Sequence, residues 1–459
     1  VKLMRVLIFS ASTGGGHMRA SNALKSYIAT HDKTAVVQVI DALEYVSHTL
    51  NKTVSDGYVF LAKKLPKLYG SVYNTANRDT TLNSLVTKIT GQMTKKLIPL
   101  ILEFRPDVIV TAHPFAAEMA SNLKRDYRVP VEVVCIITDF APHKTYINEK
   151  IDAYVVSSAE MVDAVEAYGV PRNKIHALGI PIDTAFYERY DREALLVQMQ
   201  LDPKLKTVLI MAGSFGVTDI LKIYQSISEI KVDFQVIVIT GKNQKLYDAF
   251  EELLSSSSAS AGEIIANAEK GEGTEEPDSD YAYHESIRSR LMQELSGSFK
   301  EKTGQFKDKI KAATEEFRDD LLETTLLQKI YRGSGATKPT KLLYFVSDVN
   351  KYMSAADLII TKPGGLTVSE SLASALPMAI FKAFPGQEEE NADFLVRNNM
   401  AVMLSKGSKC AKEIEDLLVH PGKLDAMKQA CKAFYKENSA ENVYMLMQDL
   451  IQKDGVSQE

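Results

Sequence analysis

The sequence predicts an α/β protein of two doubly wound parallel sheets facing a cleft, with a helical segment inserted into the second half. Three observations predict it. Short, continuous apolar runs alternate with helix-like segments along most of the 459 residues, the pattern of strands buried on both faces of a parallel sheet. The series begins twice, at Arg5–Ser10 and again at Thr207–Gly216. Glycine or small-residue turns follow several strands, and open sheets bind ligands at the carboxyl ends of their strands.

Bulk properties narrow the class. The length suits two or three domains, each with its own core. Hydrophobic residues make up 45% and charged residues 25%, as in an ordinary soluble protein. A formal net charge of −5 gives no reason to expect nucleic acid. Cys135, Cys410 and Cys431 stand too far apart for a zinc site or a disulfide framework and fit a reducing cytosol. Val1–Ser10 reads as a first strand rather than a signal peptide. No apolar run reaches the roughly 18 residues that a spanning helix needs.

In chain order, Arg5–Ser10 runs into Gly14-Gly-Gly16 and then into a helix from Met18 to Ile28. This strand, glycine loop and helix lacks the Gly-Lys-Ser/Thr of a Walker loop and the spacing of a dinucleotide fingerprint. His17 stands at the helix entrance. A helix amino end disfavours the imidazolium, so His17 is expected to be neutral and able to take a proton near pH 7. A capping or packing histidine is the plainer alternative.

Further strands are expected at Val36–Ile40, Asp107–Ala112, Val131–Thr138, Ala153–Ser157 and Ile175–Leu178. Polar groups gather at their ends: His113, Thr138-Asp139 and His143. Asp139 is a candidate to orient a base or an acceptor, although each of these groups would serve equally well as a cap. The stretch Tyr58–Tyr73 mixes Lys63, Lys64 and Lys67 with Tyr69, Tyr73 and aliphatic residues. That combination suits contact with an anionic membrane surface. Packed helices with solvated lysines would read the same way.

The second half continues with strands at Phe234–Thr240, Lys341–Val346, Asp357–Thr361 and Leu376–Phe381. Thr361-Lys-Pro-Gly-Gly365 turns into a helix running to Ala375. Such a turn gathers free backbone N–H groups and the positive end of the helix dipole, a site for a phosphate. Glu370, one turn in, is placed to accept from a ribose hydroxyl. Gln387, Glu388 and Asn391 crowd hydrogen-bonding groups after Pro385-Gly386. Residues 255–337 stand apart. Serine- and glycine-rich flanks enclose an acidic stretch and a long apolar stripe from Ile287 to Leu322. They are expected to form a separable helical module, open to a protein partner.

Together these residues resemble the diacylglycerol glycosyltransferases, which include bacterial processive β-glucosyltransferases and the monogalactosyldiacylglycerol synthases. The resemblance rests on Ser12-Thr-Gly-Gly-Gly-His17, His113-Pro-Phe115, Thr138-Asp-Phe140, Gly179-Ile-Pro-Ile182, Thr361-Lys-Pro-Gly-Gly365 with Glu370, and Pro385-Gly-Gln-Glu-Glu-Glu-Asn391. These stand in the family's order across 1–254 and 338–450, and leave 255–337 unmatched. The resemblance implies a GT-B fold of two Rossmann-like domains. Expected boundaries are 1–185 for an acceptor and membrane-side domain, and 204–254 with 338–435 for a UDP-sugar domain. The insert at 255–337 and a last helix at 436–459 complete the division.

What the resemblance further implies is inverting transfer of a hexose, glucose or galactose, from a UDP-sugar to the 3-hydroxyl of diacylglycerol, repeated or not on the product. His17 would be the base, and Asp139 a second catalytic residue that orients a base or an acceptor. Gly15, Gly16, Ser214, Gly364, Gly365 and Thr367 would lie along the diphosphate side. Glu370 would hold the ribose, and the Phe345-Val346 backbone the uracil. Gln387 and Glu388, with Asn391 nearby, would meet the sugar. Lys63, Lys64, Lys67, Tyr69, Tyr73 and His113 would lie on the acceptor and membrane side, at the inner face of the cell membrane. No cofactor or metal is expected, because no Asp-x-Asp pair stands at a strand end. Alternatives are a UDP-GlcNAc transferase using a polyprenyl-linked acceptor, a UDP-sugar 2-epimerase, and a non-catalytic nucleotide-sugar scaffold. The Lys-Leu-Pro-Lys-Leu-Tyr-Gly run at 64–70 argues against the first.

Overall fold

Val6 to Phe9 are fully buried in β1 (Arg5–Ser10), and the alternation of their side chains divides the core in two. The computed structural model describes residues 3–11, 16–48, 80–211, 217–255, 338–381, 387–405 and 409–456. Gly15, Ser214, the expected membrane stretch with Lys63, Lys64, Lys67, Tyr69 and Tyr73, and the insert beyond Ser255 lie outside them.

After β1 come α1 (Gly16–His31), β2 (Val36–Asp41), α2 (Ala42–His48), α3 (Thr80–Phe104), β3 (Val108–Thr111), α4 (Pro114–Asp126) and β4 (Glu132–Ile136). β5 (Ala153–Val155), α5 (Ala159–Glu166), β6 (Ile175–His176) and α6 (Arg192–Gln198) follow. The six strands form one parallel sheet in the order β2-β1-β3-β4-β5-β6. Its register pairs Arg5 with Val36 and Val6 with Val108. Because neighbours along a strand face opposite ways, Leu7 and Phe9 join the core under α2, α3 and α4, while Val6 and Ile8 join another with Leu24 and Ile28 of α1.

The second series is β7 (Lys206–Met211), α7 (Val217–Ser228), β8 (Phe234–Ile239), α8 (Gln244–Ser255), β9 (Thr340–Leu343), α9 (Val349–Ala355), β10 (Leu358–Thr361), α10 (Gly365–Ala373) and β11 (Met378–Ile380). It ends with α11 (Gln387–Arg397), β12 (Ala401–Met403), α12 (Lys409–Val419), α13 (Pro421–Phe434) and α14 (Ser439–Val456). β7 to β12 make the second six-stranded sheet. The expected doubly wound architecture is therefore present. β12 was not foreseen, because three residues carry too little periodicity to announce a strand.

By contact, the described residues fall into two compact units. The first contains 1–200, 348–404 and 421–459, and so holds the whole first sheet together with β10 to β12. In it, α14 lays Ala440, Val443, Tyr444 and Met447 on the face of the first sheet beside α1, a spacing of three and four residues that makes one helical stripe. The Tyr444 hydroxyl donates to Asp32 at 2.5 Å.

The second unit, 201–347 with 405–420, holds the parallel ladder β7-β8-β9. Tyr224 of α7 stacks edge-on against Phe250 of α8 at 5.2 Å, and its hydroxyl meets Thr340 Oγ1 at 2.7 Å. The chain leaves the ladder at Leu343, two residues before Phe345.

Candidate active site

The first unit brings most of the expected residues together where two helices start. α1 begins at Gly16 and α10 at Gly365, each just past the carboxyl end of a strand. A Cβ placed on Gly16 would lie 3.8 Å from Leu366 Cβ, so the two amino ends meet. Gly364 caps α10 without a side chain that could accept from its first turn. The N–H groups there have no intrahelical partner, and both dipoles point their positive ends at this spot. An anion is the ligand such a place favours.

His17 occupies the first turn of α1. Its Nδ1 lies 2.7 Å from the Ala112 carbonyl oxygen and 2.8 Å from Thr138 Oγ1. A carbonyl oxygen only accepts, so Nδ1 carries the hydrogen and Nε2 is left as the basic nitrogen. The Thr138 hydroxyl lies 3.3 Å from the hydroxyl of fully buried Tyr146. Burial pushes His17 down to about 4, against the pull of the Ala112 carbonyl. The expected neutrality thus has burial as its main cause.

His113, expected on the acceptor and membrane side, is a buried helix cap. Its Nδ1 accepts from the Phe115 N–H at 3.2 Å and caps α4, so it has the opposite tautomer to His17. The two rings meet edge to face at 4.8 Å. Burial, with His17 adding to it, holds His113 well below the usual histidine range.

Asp139 does not orient His17. Its Oδ1 accepts from Asn391 Nδ2 at 3.2 Å, and the group against the imidazole is the neighbouring Thr138. Burial pushes Asp139 up to about 6, with Glu388 and Glu390 adding to the rise and the Asn391 amide opposing it.

Asn391 also departs from expectation. Expected beside the sugar, it is fully buried, donating to Pro363 O at 3.0 Å and accepting from Phe140 N at 2.7 Å. Its amide is spent on protein, tying the 138–140 turn to the 361–365 turn. Asn391→Ala should leave several buried groups unpaired at about 1–3 kcal/mol each, which a denaturant midpoint will register as a large loss of stability.

Gly365 has a packing reason to be glycine. A Cβ there would stand 1.9 Å from the Thr138 carbonyl oxygen. Thr367, Gln387 and Glu388 are half-buried at the first turns of α10 and α11. Phe345 and Val346 belong to the second unit, where Phe345 is 59% exposed with the Lys242 ammonium 5.4 Å from its ring centre.

Glu370, the expected ribose ligand, is buried on α10 and ion-paired with Arg19 of α1. Sequence reasoning missed Arg19 and gave Thr138 no contact of its own. No local pattern marks either residue, because each acts through a partner more than 100 residues away.

Among the described residues no helix is long and apolar enough to cross a membrane. Residues 17–182 match the sequence model of monogalactosyldiacylglycerol (MGDG) synthase, and residues 317–443 that of the glycosyltransferase family 28 C-terminal domain. The second match takes in the end of the segment read as unmatched.

A processive diacylglycerol beta-glucosyltransferase of Bacillus licheniformis is 22% identical over 98% of this chain and 95% of its own length. One of Bacillus thuringiensis is 25% identical over 96% and 93%. Among solved structures, MurG of Acinetobacter baumannii aligns with a TM-score of 0.54 at 12% identity, over 97% of this chain and 99% of its own. A candidate UDP-N-acetylglucosamine 2-epimerase of Listeria monocytogenes aligns at 0.52 and 10% identity, over 99% and 98%. At such identities the likeness is one of fold, and the fold by itself does not separate transferase from epimerase.

Proposed function

We propose that this chain, which belongs to the diacylglycerol glycosyltransferases of GT-B fold, moves a hexose from a UDP-sugar to the 3-hydroxyl of diacylglycerol with inversion. The observation that carries the reading is His17, held as the Nδ1–H tautomer where the amino ends of α1 and α10 meet. Nε2 takes the proton of the acceptor hydroxyl as the acceptor oxygen bonds to the sugar C1. The bond from C1 to the diphosphate breaks, and its electron pair leaves on UDP. The uncapped N–H groups of α10 receive that charge.

A histidine lowered to about 4 is wholly in its basic form at pH 7. The arriving diphosphate strengthens it, because a nearby anion favours the imidazolium. Glu370 takes the ribose and Gln387 with Glu388 the sugar hydroxyls. The helix amino ends supply the positive potential, so the reaction needs no metal. The acceptor comes from an anionic membrane surface on the cytoplasmic side, through the basic stretch containing Lys63, Lys64 and Lys67.

The test offers UDP-glucose and UDP-galactose separately to the full chain, with diacylglycerol in anionic vesicles and EDTA present. One donor should give glycolipid in EDTA. If UDP binds and neither donor reacts, the acceptor assignment fails and the lipid-linked GlcNAc reading replaces it. Activity lost in EDTA and restored by a divalent cation would overturn metal independence alone.

A further inference from the structure

Arg19 lies two residues beyond His17 on α1, half exposed, with its Nη2 on Glu370 Oε1. The carboxylate it meets is only 2% exposed. Its other oxygen, Oε2, is buried without a hydrogen-bond partner. Ser374, which caps the carboxyl end of α10 one turn beyond Glu370, likewise buries an unpartnered hydroxyl. Buried polar atoms are nearly always paired, and an orphaned carboxylate oxygen at a ligand site calls for a donor.

Charge around Glu370 is lopsided. Burial pushes its carboxyl up to about 7, Arg19 pulls it back down, and Asp183 adds to the rise. Arg19 is the one cation set against it among the described residues. With Oε1 engaged by the guanidinium, rotation of the carboxylate is restrained and Oε2 has a fixed direction. A carboxylate so held accepts from a hydroxyl, whereas a protonated carboxyl loses much of that capacity.

We propose that Arg19 is a positioning residue which fixes the Glu370 carboxylate through Oε1 and so presents its unpartnered Oε2 to the ribose hydroxyls of the uridine nucleotide. The inference rests on the reading of Glu370 as the ribose ligand. It makes nucleotide selectivity depend on a side chain from α1, the helix that carries the base.

The test is calorimetric titration of the full chain with UDP and with 2′,3′-dideoxy-UDP. The unsubstituted protein should prefer UDP by tenfold or more, on the order expected of a charge-assisted hydrogen bond. Arg19→Ala should remove most of that preference by weakening UDP about tenfold, leaving the dideoxy ligand unchanged. Arg19→Lys should restore part of it, and in a Glu370→Gln background Arg19→Ala should change nothing further.

Full preference in Arg19→Ala overturns the proposal while leaving Glu370 as the ribose ligand. Equal weakening of both nucleotides also overturns it, and moves Arg19 to the diphosphate. No preference in the unsubstituted protein overturns the ribose reading itself, and the proposal with it.

Discussion

His17→Ala should lower the rate of sugar transfer by about 10²–10⁴, the usual contribution of a positioned general base, while UDP affinity measured by calorimetry stays nearly constant. The split follows from where the imidazole sits. Its Nδ1 is spent on Ala112 and Thr138, so the ring makes no demand on the nucleotide and offers one nitrogen to the acceptor. A fall in UDP affinity matching the fall in rate would show His17 to be a binding group instead.

A second measurement on the same variant is independent of substrate. In the native chain His17 sits at about 4, below its ordinary 6.5. Between those values the unfolded chain binds the proton that the folded chain refuses. Stability therefore falls as pH drops through that window and is untouched above it. His17→Ala removes this contribution, so its stability should decline less steeply from pH 6.5 to 4.

Gly365→Ala should be the most damaging single-methyl change in the site. The added carbon would meet the Thr138 carbonyl oxygen at 1.9 Å and its carbon at 2.9 Å. Both are backbone atoms, so no flexible side chain can yield, and overpacking of this kind costs about 1–3 kcal/mol or more. Relief requires α10 to draw away from the 138–140 turn, which carries the hydroxyl against His17. A displacement near 1 Å costs about 10²-fold in rate, so transfer should fall even where the variant folds.

Gly364→Ala is the control. Its Cβ would meet nothing within 4 Å, and its backbone conformation suits any residue. Thermal unfolding of the two variants should separate by several degrees. Equal midpoints would mean that the contact at Gly365 is not a constraint in solution.

The ease with which each part could be read follows from how local its cause is. β1 and β8 were legible because strands buried on both faces need unbroken apolar runs, and Val6–Phe9 and Phe234–Ile239 supply them. The glycine turns were legible because few other residues permit so close an approach of backbone. Asn391 was legible as a polar group near the site but not as a buried tie, since its partners Phe140 and Asp139 lie over 250 residues away in sequence. The Arg19–Glu370 pair was hidden for the same reason. β9 was read too long: Tyr344 and Phe345 have the composition of a strand, yet the chain has already turned outward there.

The stripe of α14 on the first sheet has a consequence for biosynthesis. Val6, Ile8, Val108 and Val134 leave a ribosome about 300 residues or more before Val443 and Met447, which cover them. At about 5–20 residues per second of translation, that apolar face waits on the order of tens of seconds for its cover. During that interval it is a surface for a chaperone, and a nascent chain stalled before residue 440 should be held by one rather than released as a finished domain.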